Sequence, residues 1–497
     1  MQETIGKKQE YRSVAKGTAL MGGVQVFNIL INVIKGKLVA MFLGPAGMGV
    51  VSLLTSSTNV VQQFSCLGLN LAIVKEIAGA ESTEKRNLII VIVRKLLILT
   101  ALLGAFLTVV LSPWLSEWSF GDKSYTVHFI FLGVMVFLMT VSNGEASILQ
   151  GAHTIKRLAY SSLVGSSVGL LVGVPLYYFY GQDGIVPAMI ALSLATFIFY
   201  RYHSGKEFGK INVKVSLKEQ SPLVKSMIAF GFISMISSLL GTFANYGVNA
   251  FVRYQGALHD VGLFQAANSI TNQYVGLVFA AMSVDYFPRL AAVSNDTEKV
   301  NKAVNLQAEI VLLVVAPIVM LMILVAPLII RILLTDEFLL LGPVVRVMAL
   351  GIFLKAISFP MGYISFAKGD KKTFFWMEGV WGNLLTLTFN IGFYYFWGLI
   401  GLGISMIGIY TVFMIIYLVV TNKLYHYRLD KTVLFLVLLL GAMLALCYGA
   451  SLIHNVIVSY ALMTTVCFIA GCYSFRELDN RIGIVAVLKT KIYGKNR

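Results

Sequence analysis

Charge is what this chain of 497 residues has least of, with only 12% Asp, Glu, Lys or Arg. A soluble domain carries about a quarter, so a water-facing surface cannot be built from so few. Cysteine is also scarce. Cys66, Cys447, Cys467 and Cys472 all lie in or beside apolar segments, and their spacing fits neither a metal site nor a disulfide framework. The alternating pattern of membrane-barrel strands is missing too. No metal and no cofactor are expected.

What the chain has instead is apolar sequence: 58% hydrophobic residues and a mean hydropathy of +0.80. The apolar runs reach roughly 20 residues or more, the length that crosses a ~30 Å hydrocarbon core. A segment in lipid must satisfy its own backbone hydrogen bonds, and without a barrel pattern that means helices. The fold class is therefore an all-α integral membrane protein. A net charge of +16 would raise nucleic acid as a partner in a soluble protein. Here the charges sit between apolar runs, and the partner expected is membrane lipid, not nucleic acid. Lys7, Lys8, Arg12 and Lys16 precede a long apolar run without a small-residue cleavage site. That pattern predicts an uncleaved first span, not a removable signal peptide.

Apolar runs between charged or turn-rich breaks predict about fourteen transmembrane helices. They cover 18–43, 49–74, 88–111, 126–149, 158–179, 184–202, 228–252, 262–287, 305–330, 342–366, 374–396, 399–421, 432–452 and 456–474. With the N-terminus inside, Lys123, Arg253 and Arg331 are the basic residues on the outer side, and Lys35, Lys37, Arg346 and Lys355 lie within spans. The remaining Lys and Arg are cytoplasmic, an asymmetry that predicts both termini on that side. The expected organisation is an N-terminal six-helix bundle (1–203), a basic cytoplasmic linker (204–227), a C-terminal six-helix bundle (228–422), and two extra helices with a basic cytoplasmic tail (423–497). The linker segment is either a plain connection or an amphipathic stretch on anionic lipid. Every outer loop is short; the longest runs from Ser112 to Tyr125.

The two halves repeat weakly, 213 residues apart. Gly44-Pro-Ala-Gly-Met-Gly-Val-Val51 falls opposite Gly256-Ala-Leu-His-Asp-Val-Gly-Leu-Phe264. An even number of spans per half gives both copies one orientation, hence a pseudo-twofold axis along the membrane normal around a central cavity. Polar residues recur at helical spacing in four spans: Ser52, Ser56, Asn59, Gln63 and Asn70; Gln265, Ser269, Asn272, Gly276 and Ser283; Gln25, Asn28 and Asn32; Ser238, Gly241 and Asn245. One such stripe is ordinary helix–helix packing. Four matched stripes point to a wet cavity.

Ionisable residues in hydrocarbon cost roughly 2.5–3.5 kcal/mol each on insertion scales, so each demands a cavity or a partner. Lys35 follows the polar face of Asn32, whereas Lys37 lies about 200° around the helix from it. Lys355 shares a face with Gly351, Ser358, Gly362 and Ser365, about 20 Å from the outer end of its span. Arg253 follows Asn249 by one turn. Arg346 is expected to snorkel to the interface. Glu145, Asp285, Glu309 and Glu378 lie toward cytoplasmic ends, where ion pairing is the expected role. A cavity basic in its outer half suits an anionic passenger.

Lys37-Leu-Val-Ala-Met-Phe-Leu-Gly-Pro-Ala-Gly-Met-Gly49 resembles the end of the first span in O-antigen translocases. Val261–Gln273, Ser283–Leu290 and Lys355–Lys368 are similar to further stretches of that family and of the lipid III flippases. Both belong to the multidrug/oligosaccharidyl-lipid/polysaccharide exporter superfamily, and the resemblance covers roughly residues 15–425. It implies an inner-membrane flippase of bacteria that moves undecaprenyl-pyrophosphate-linked oligosaccharide, the O-antigen or a related repeat unit, by alternating access. Polysaccharide assembly proteins would be its partners. The resemblance favours Lys37 and Lys355 as cavity cations, while periodicity favours Lys35 over Lys37. The candidate substrate-binding residues are thus Lys355, Arg253, Lys35, Lys37, Asn32, Asn59 and Asn272, with none catalytic. The last two helices depart from the family core. The alternative is a cation-coupled multidrug antiporter on the same fold, but no acid lies deep in the first, second, seventh, eighth or tenth span to bind a cation. A polymerase or ligase would need a large outer loop and an acid–base constellation, and the sequence has neither.

Overall fold

The structure is a computed structural model that describes the backbone of residues 2–209, 211 and 220–482. Within these it describes all side chains except those of 2–26, 29, 230, 233, 234, 237, 273, 274, 277, 280, 281, 283–285 and 288. The basic N-terminal cluster, Gln25, Ser283, Asp285, most of the basic linker and the tail after 482 therefore fall outside the described side chains.

No strand occurs among the described residues, as a chain that must satisfy its backbone in lipid requires. In chain order the helices are α1 (Gln2–Cys66), α2 (Leu69–Ala78), α3 (Thr83–Val110), α4 (Ser112–Phe120), α5 (Thr126–Gly151), α6 (Ile155–Tyr180), α7 (Ile185–Phe208) and α8 (Ser221–Gln255). They continue as α9 (Leu258–Asn268), α10 (Tyr274–Ala292), α11 (Thr297–Leu333), α12 (Gly342–Ala367), α13 (Lys371–Phe374), α14 (Gly382–Tyr425), α15 (Lys431–Ala450) and α16 (Val456–Ile482). Two π-helical segments, Ser269–Gln273 and Phe375–Trp381, join α9 to α10 and α13 to α14. Among the described residues, 9 helical stretches are long and apolar enough to cross a membrane. The chain is a multi-pass membrane protein.

Three of those stretches, Leu30–Cys66, Ile155–Phe208 and Lys371–Tyr425, have 37, 54 and 55 residues. At 1.5 Å per residue the last two far exceed one crossing. Two of the three contain a left-handed break inside a helix: Gly44 at φ 64° in α1 and Gly398 at φ 57° in α14. A side chain at either would be strained there, so the break needs glycine.

The chain divides into two compact units, Met1–Leu263 and Phe264–Arg497. In the first unit, α2 buries Leu69, Ala72, Ile73 and Ile77 against Ile89, Ile90 and Val93 of α3 and Ile148 of α5. Helices α6 and α7 meet along Gly165 and Gly169, where a methyl group would crowd Thr196 and Leu192. Small residues allow such close backbone approach where no hydrophobic force drives helices together. The two repeat motifs touch each other. A side chain at Gly49 would overlap the Leu258 carbonyl, and one at Gly262, its equivalent in the second copy, would overlap the Pro45 carbonyl. This reciprocal contact is what a local pseudo-twofold produces.

The outer loop predicted after Ser112 is partly helical. Pro113 opens α4 and Gly121, left-handed at φ 78°, closes it. Trp114 and Trp118, one turn apart, are 51% and 64% exposed, the arrangement of an interfacial helix with an aromatic anchor.

In the second unit, α15 lays Val433, Leu436, Leu440, Leu444 and Cys447 inward, and Cys447 Sγ reaches the Met320 carbonyl of α11. Arg481 of α16 pairs with Glu309 of α11 at 2.8 Å. Asn305 of α11 latches the α14–α15 connection, donating to the Arg428 carbonyl at 2.9 Å and accepting from the Tyr427 hydroxyl at 3.0 Å. The last two helices are thus built into the unit. Arg346 does not snorkel. Its Nε donates to the Ile323 carbonyl at 3.2 Å, the group that Pro327, four residues on, leaves without a helical donor.

Candidate functional site

The seven candidate residues fall in different surroundings. Lys35 and Asn32 of α1 line a narrow pocket of about 70 Å³ with Ser166, Gly173 and Tyr177 of α6. Lys37, two residues on, is exposed. Asn59 faces an open cleft of about 480 Å³ whose whole lining is polar or glycine, with Ser56 of α1 and Ser238, Gly241, Thr242 and Asn245 of α8. Two of the matched polar stripes therefore meet in the first unit. The described residues of the other two stripes, those of Gln265 and of Asn28 and Asn32, do not line that cleft. Asn272 lies half-buried in the first π segment and donates to Asn268 one turn back.

Arg253 is engaged with the protein itself. Its guanidinium donates to the Phe120 carbonyl at 2.7 Å, capping the C-terminus of α4, where a cation is favoured. In the loop that follows α4, the hydroxyl and amide of Ser124, with the charge of Arg253 behind them, hold the Asp122 carboxyl below its usual range.

Lys355 stands apart. It lies on α12 in the second unit and lines a cavity of about 570 Å³, walled also by the Phe375–Trp381 segment and both halves of α14. Ligand pockets typically measure 300–1,000 Å³. Ser358 and Gly362 share the cavity with it, as their common helix face predicts. Gly351 does not, because it packs on Met406. The ammonium sits 5.5 Å from the ring centres of both Phe279 and Tyr410, close enough for cation–π attraction. No carboxylate pairs with it among the described residues.

Among the four acids expected to form ion pairs, Glu145 does so with Arg94 at 3.0 Å and Arg201 at 3.2 Å, and Glu309 with Arg481. Asp285 lies outside the described side chains. Glu378 departs from the expectation. It projects from the π segment into the Lys355 cavity and accepts a hydrogen bond from the Tyr417 hydroxyl. Its backbone position could not be read from spacing, because a π segment shifts every following residue off the 3.6-residue register. Gly362 makes the room, since a methyl there would press on both the Glu378 carboxylate and the Tyr417 hydroxyl. Aromatic walls with a few convergent polar groups suit an elongated ligand that carries both charge and hydroxyls.

The fold is that of a multi-pass membrane protein with a ligand-sized cavity in its second unit. Residues 38–343 match the family of polysaccharide biosynthesis proteins, well over half of the chain, and the chain belongs to that family. It is 21% identical over 373 residues to the lipid III flippases of Escherichia coli (strain K12) and Shigella flexneri, covering 74% of this chain and 88% of theirs. In structure it is similar to the lipid II flippase MurJ in its inward closed conformation, with a TM-score of 0.69 and 15% identity, covering 93% of this chain and 99% of that one. It is also similar to an inward-facing multidrug resistance MATE family transporter of the MOP superfamily, with a TM-score of 0.66 and 20% identity, covering 80% and 94%.

Proposed function

We propose that this protein is a flippase for lipid-linked oligosaccharide, and that Lys355 engages the anionic head group of the passenger. The observation that carries this reading is a lysine in a ligand-sized cavity without a carboxylate pairing with it among the described residues. Membership of the polysaccharide biosynthesis family and the likeness to lipid III flippases support it. In finer detail, the passenger is an undecaprenyl-pyrophosphate-linked O-antigen or related repeat unit, moved by alternating access across a bacterial inner membrane. The chain crosses that membrane fourteen times, counting two passes each in Leu30–Cys66, Ile155–Phe208 and Lys371–Tyr425, one in each of the other six stretches, and one each in α8 and in α9–α10, with both termini cytoplasmic. The repeats at 1–203 and 228–422 act as its two working halves. Lys35 and Asn59 are secondary contacts in this reading, and Arg253 holds α4 in place.

Glu378 favours a second reading, a cation-coupled antiporter, because a carboxylate in a cavity can hold a cation. Lys355 in the same cavity repels one, and the flippase reading is preferred on that ground.

Reconstitution separates the two. Vesicles containing the purified protein should translocate a fluorescent polyprenyl-pyrophosphate oligosaccharide faster than protein-free vesicles. Transport of a lipophilic cation without any of this lipid would support the antiporter instead. For orientation, a thiol probe applied to intact cells should label Lys123→Cys and spare Glu81→Cys. The opposite pattern overturns the topology.

A further inference from the structure

The Lys355 cavity holds a negative charge of its own, and an anionic passenger has to share the space with it. Glu378 is on the wall of that cavity, one residue type with no place in a site that binds phosphate alone. It makes no ion pair among the described residues, and its oxygen is met by the hydroxyl of Tyr417.

The groups around it are few. From α12 come Lys355 and Tyr363, and from the second half of α14 come Tyr410 and Tyr417. The first half of α14 contributes Asn383 and Thr386, and the Asn383 amide is already donated to the Gly379 carbonyl at 2.6 Å. Lys371 and Lys372 of α13 precede the π segment and do not line the cavity, while Asp370 is taken by Thr373 and Tyr425. Among the described residues, Lys355 is thus the single cationic side chain in the lining and Glu378 the single carboxylate.

Resting on the assignment of Lys355 to the passenger's phosphates, we infer that the cavity binds its anion together with a proton, which Glu378 takes up from water. A carboxylate and a pyrophosphate in one partly enclosed space repel each other, and one lysine cannot neutralise both. Uptake of a proton removes the repulsion and turns Glu378 from an acceptor into a donor for a phosphate oxygen. A metal cation would remove it too, but Lys355 opposes its entry. Nor is there any group of three or more His, Cys, Asp or Glu placed to hold a metal among the described residues.

The test is the pH dependence of binding to the full chain in nanodiscs. The probe is a polyprenyl pyrophosphate carrying one N-acetylhexosamine, whose two phosphates keep a constant charge between pH 6 and pH 8. Wild-type affinity should weaken as pH rises, by about tenfold per unit at most, the limit for one linked proton. Glu378→Gln should bind with an affinity that pH does not change and at least as tightly as the wild type at pH 6. Proton uptake accompanying probe binding, followed with a pH dye in weakly buffered wild-type protein, reads the same linkage without any substitution. A flat wild-type profile without proton uptake overturns the inference. So does a Glu378→Gln profile as steep as the wild type's. Lys355→Gln keeps the two claims apart. If it binds the probe as the wild type does, the phosphate site itself is wrong. If it fails to bind while the wild-type profile is flat, only the proton is wrong.

Discussion

Each unit of the molecule sets a glutamate among its helices, and the two are treated differently: Glu145 is buried and Glu378 is exposed. In the first unit, Glu145 is 1% exposed and receives Arg94, Arg201 and Ser204 from α3 and α7. Every oxygen of that carboxylate is occupied by a donor from its own unit, so it ties three helices together and has nothing left for a ligand. In the second unit, Glu378 accepts from a neutral tyrosine and faces a lysine-bearing cavity of about 570 Å³. The lysines differ in the same way. Lys35 has a pocket of about 70 Å³, too small for a pyrophosphate and a sugar, whereas Lys355 has room for both. A buried charge satisfied inside the fold marks architecture; a charge left facing open space marks a place for something else.

This contrast predicts where substitutions act. The largest loss of stability is expected for Glu145→Ala, which leaves two arginines facing each other without their carboxylate. Removing one member of a buried pair typically costs about 3–5 kcal/mol, to be read as a lower melting temperature in detergent and reduced abundance in the membrane. If Glu145→Ala melts as the wild type does, the first unit does not depend on the cluster.

A smaller effect is expected for Arg253→Ala. The lost charged hydrogen bond to the Phe120 carbonyl is worth about 1.5–3 kcal/mol, partly recovered by water. Melting should fall modestly, and translocation per folded molecule should stay within about twofold of the wild type. A loss of translocation without loss of stability would move Arg253 into the passenger's path and blur the contrast.

Much of the fold is legible in the sequence because lipid imposes a simple rule. Apolar runs of the right length became helices at 126–149, 158–179 and 342–366, each within a few residues of α5, α6 and α12. Ends facing water were harder. Helix α11 starts at Thr297, eight residues before the apolar run at 305, since Asp296 caps it through the amides of Glu298 and Lys299. Hydropathy marks the lipid-facing length of a helix and not its capped extension. The interfacial helix α4 was hidden for a similar reason, because its nine residues, Ser112–Phe120, are too few to register as a span.

Within the candidate site, Lys355 was visible as a cation deep in a span with small and polar neighbours on its face. Glu378 was seen as an acid but not as a cavity group. The π segment that aims it has no signature in residue type, and its partner Tyr417 is distant in sequence. Arg253, a candidate binding residue, and Arg346, expected to snorkel, each donate to a backbone carbonyl. The carbonyls they satisfy, at a helix C-terminus and above a proline, are backbone features that a list of side chains leaves out.

The central claim is that the Lys355 ammonium engages the passenger's anionic head group, and reconstituted translocation of the lipid-linked oligosaccharide tests it most directly. Lys355→Ala should lower the rate to the protein-free background while the protein remains folded and present in the vesicles at wild-type amount. Lys355→Arg, which keeps the charge but alters the donor geometry, should retain part of it. Translocation by Lys355→Ala at the wild-type rate would contradict the account and leave the lysine a structural role between Phe279 and Tyr410.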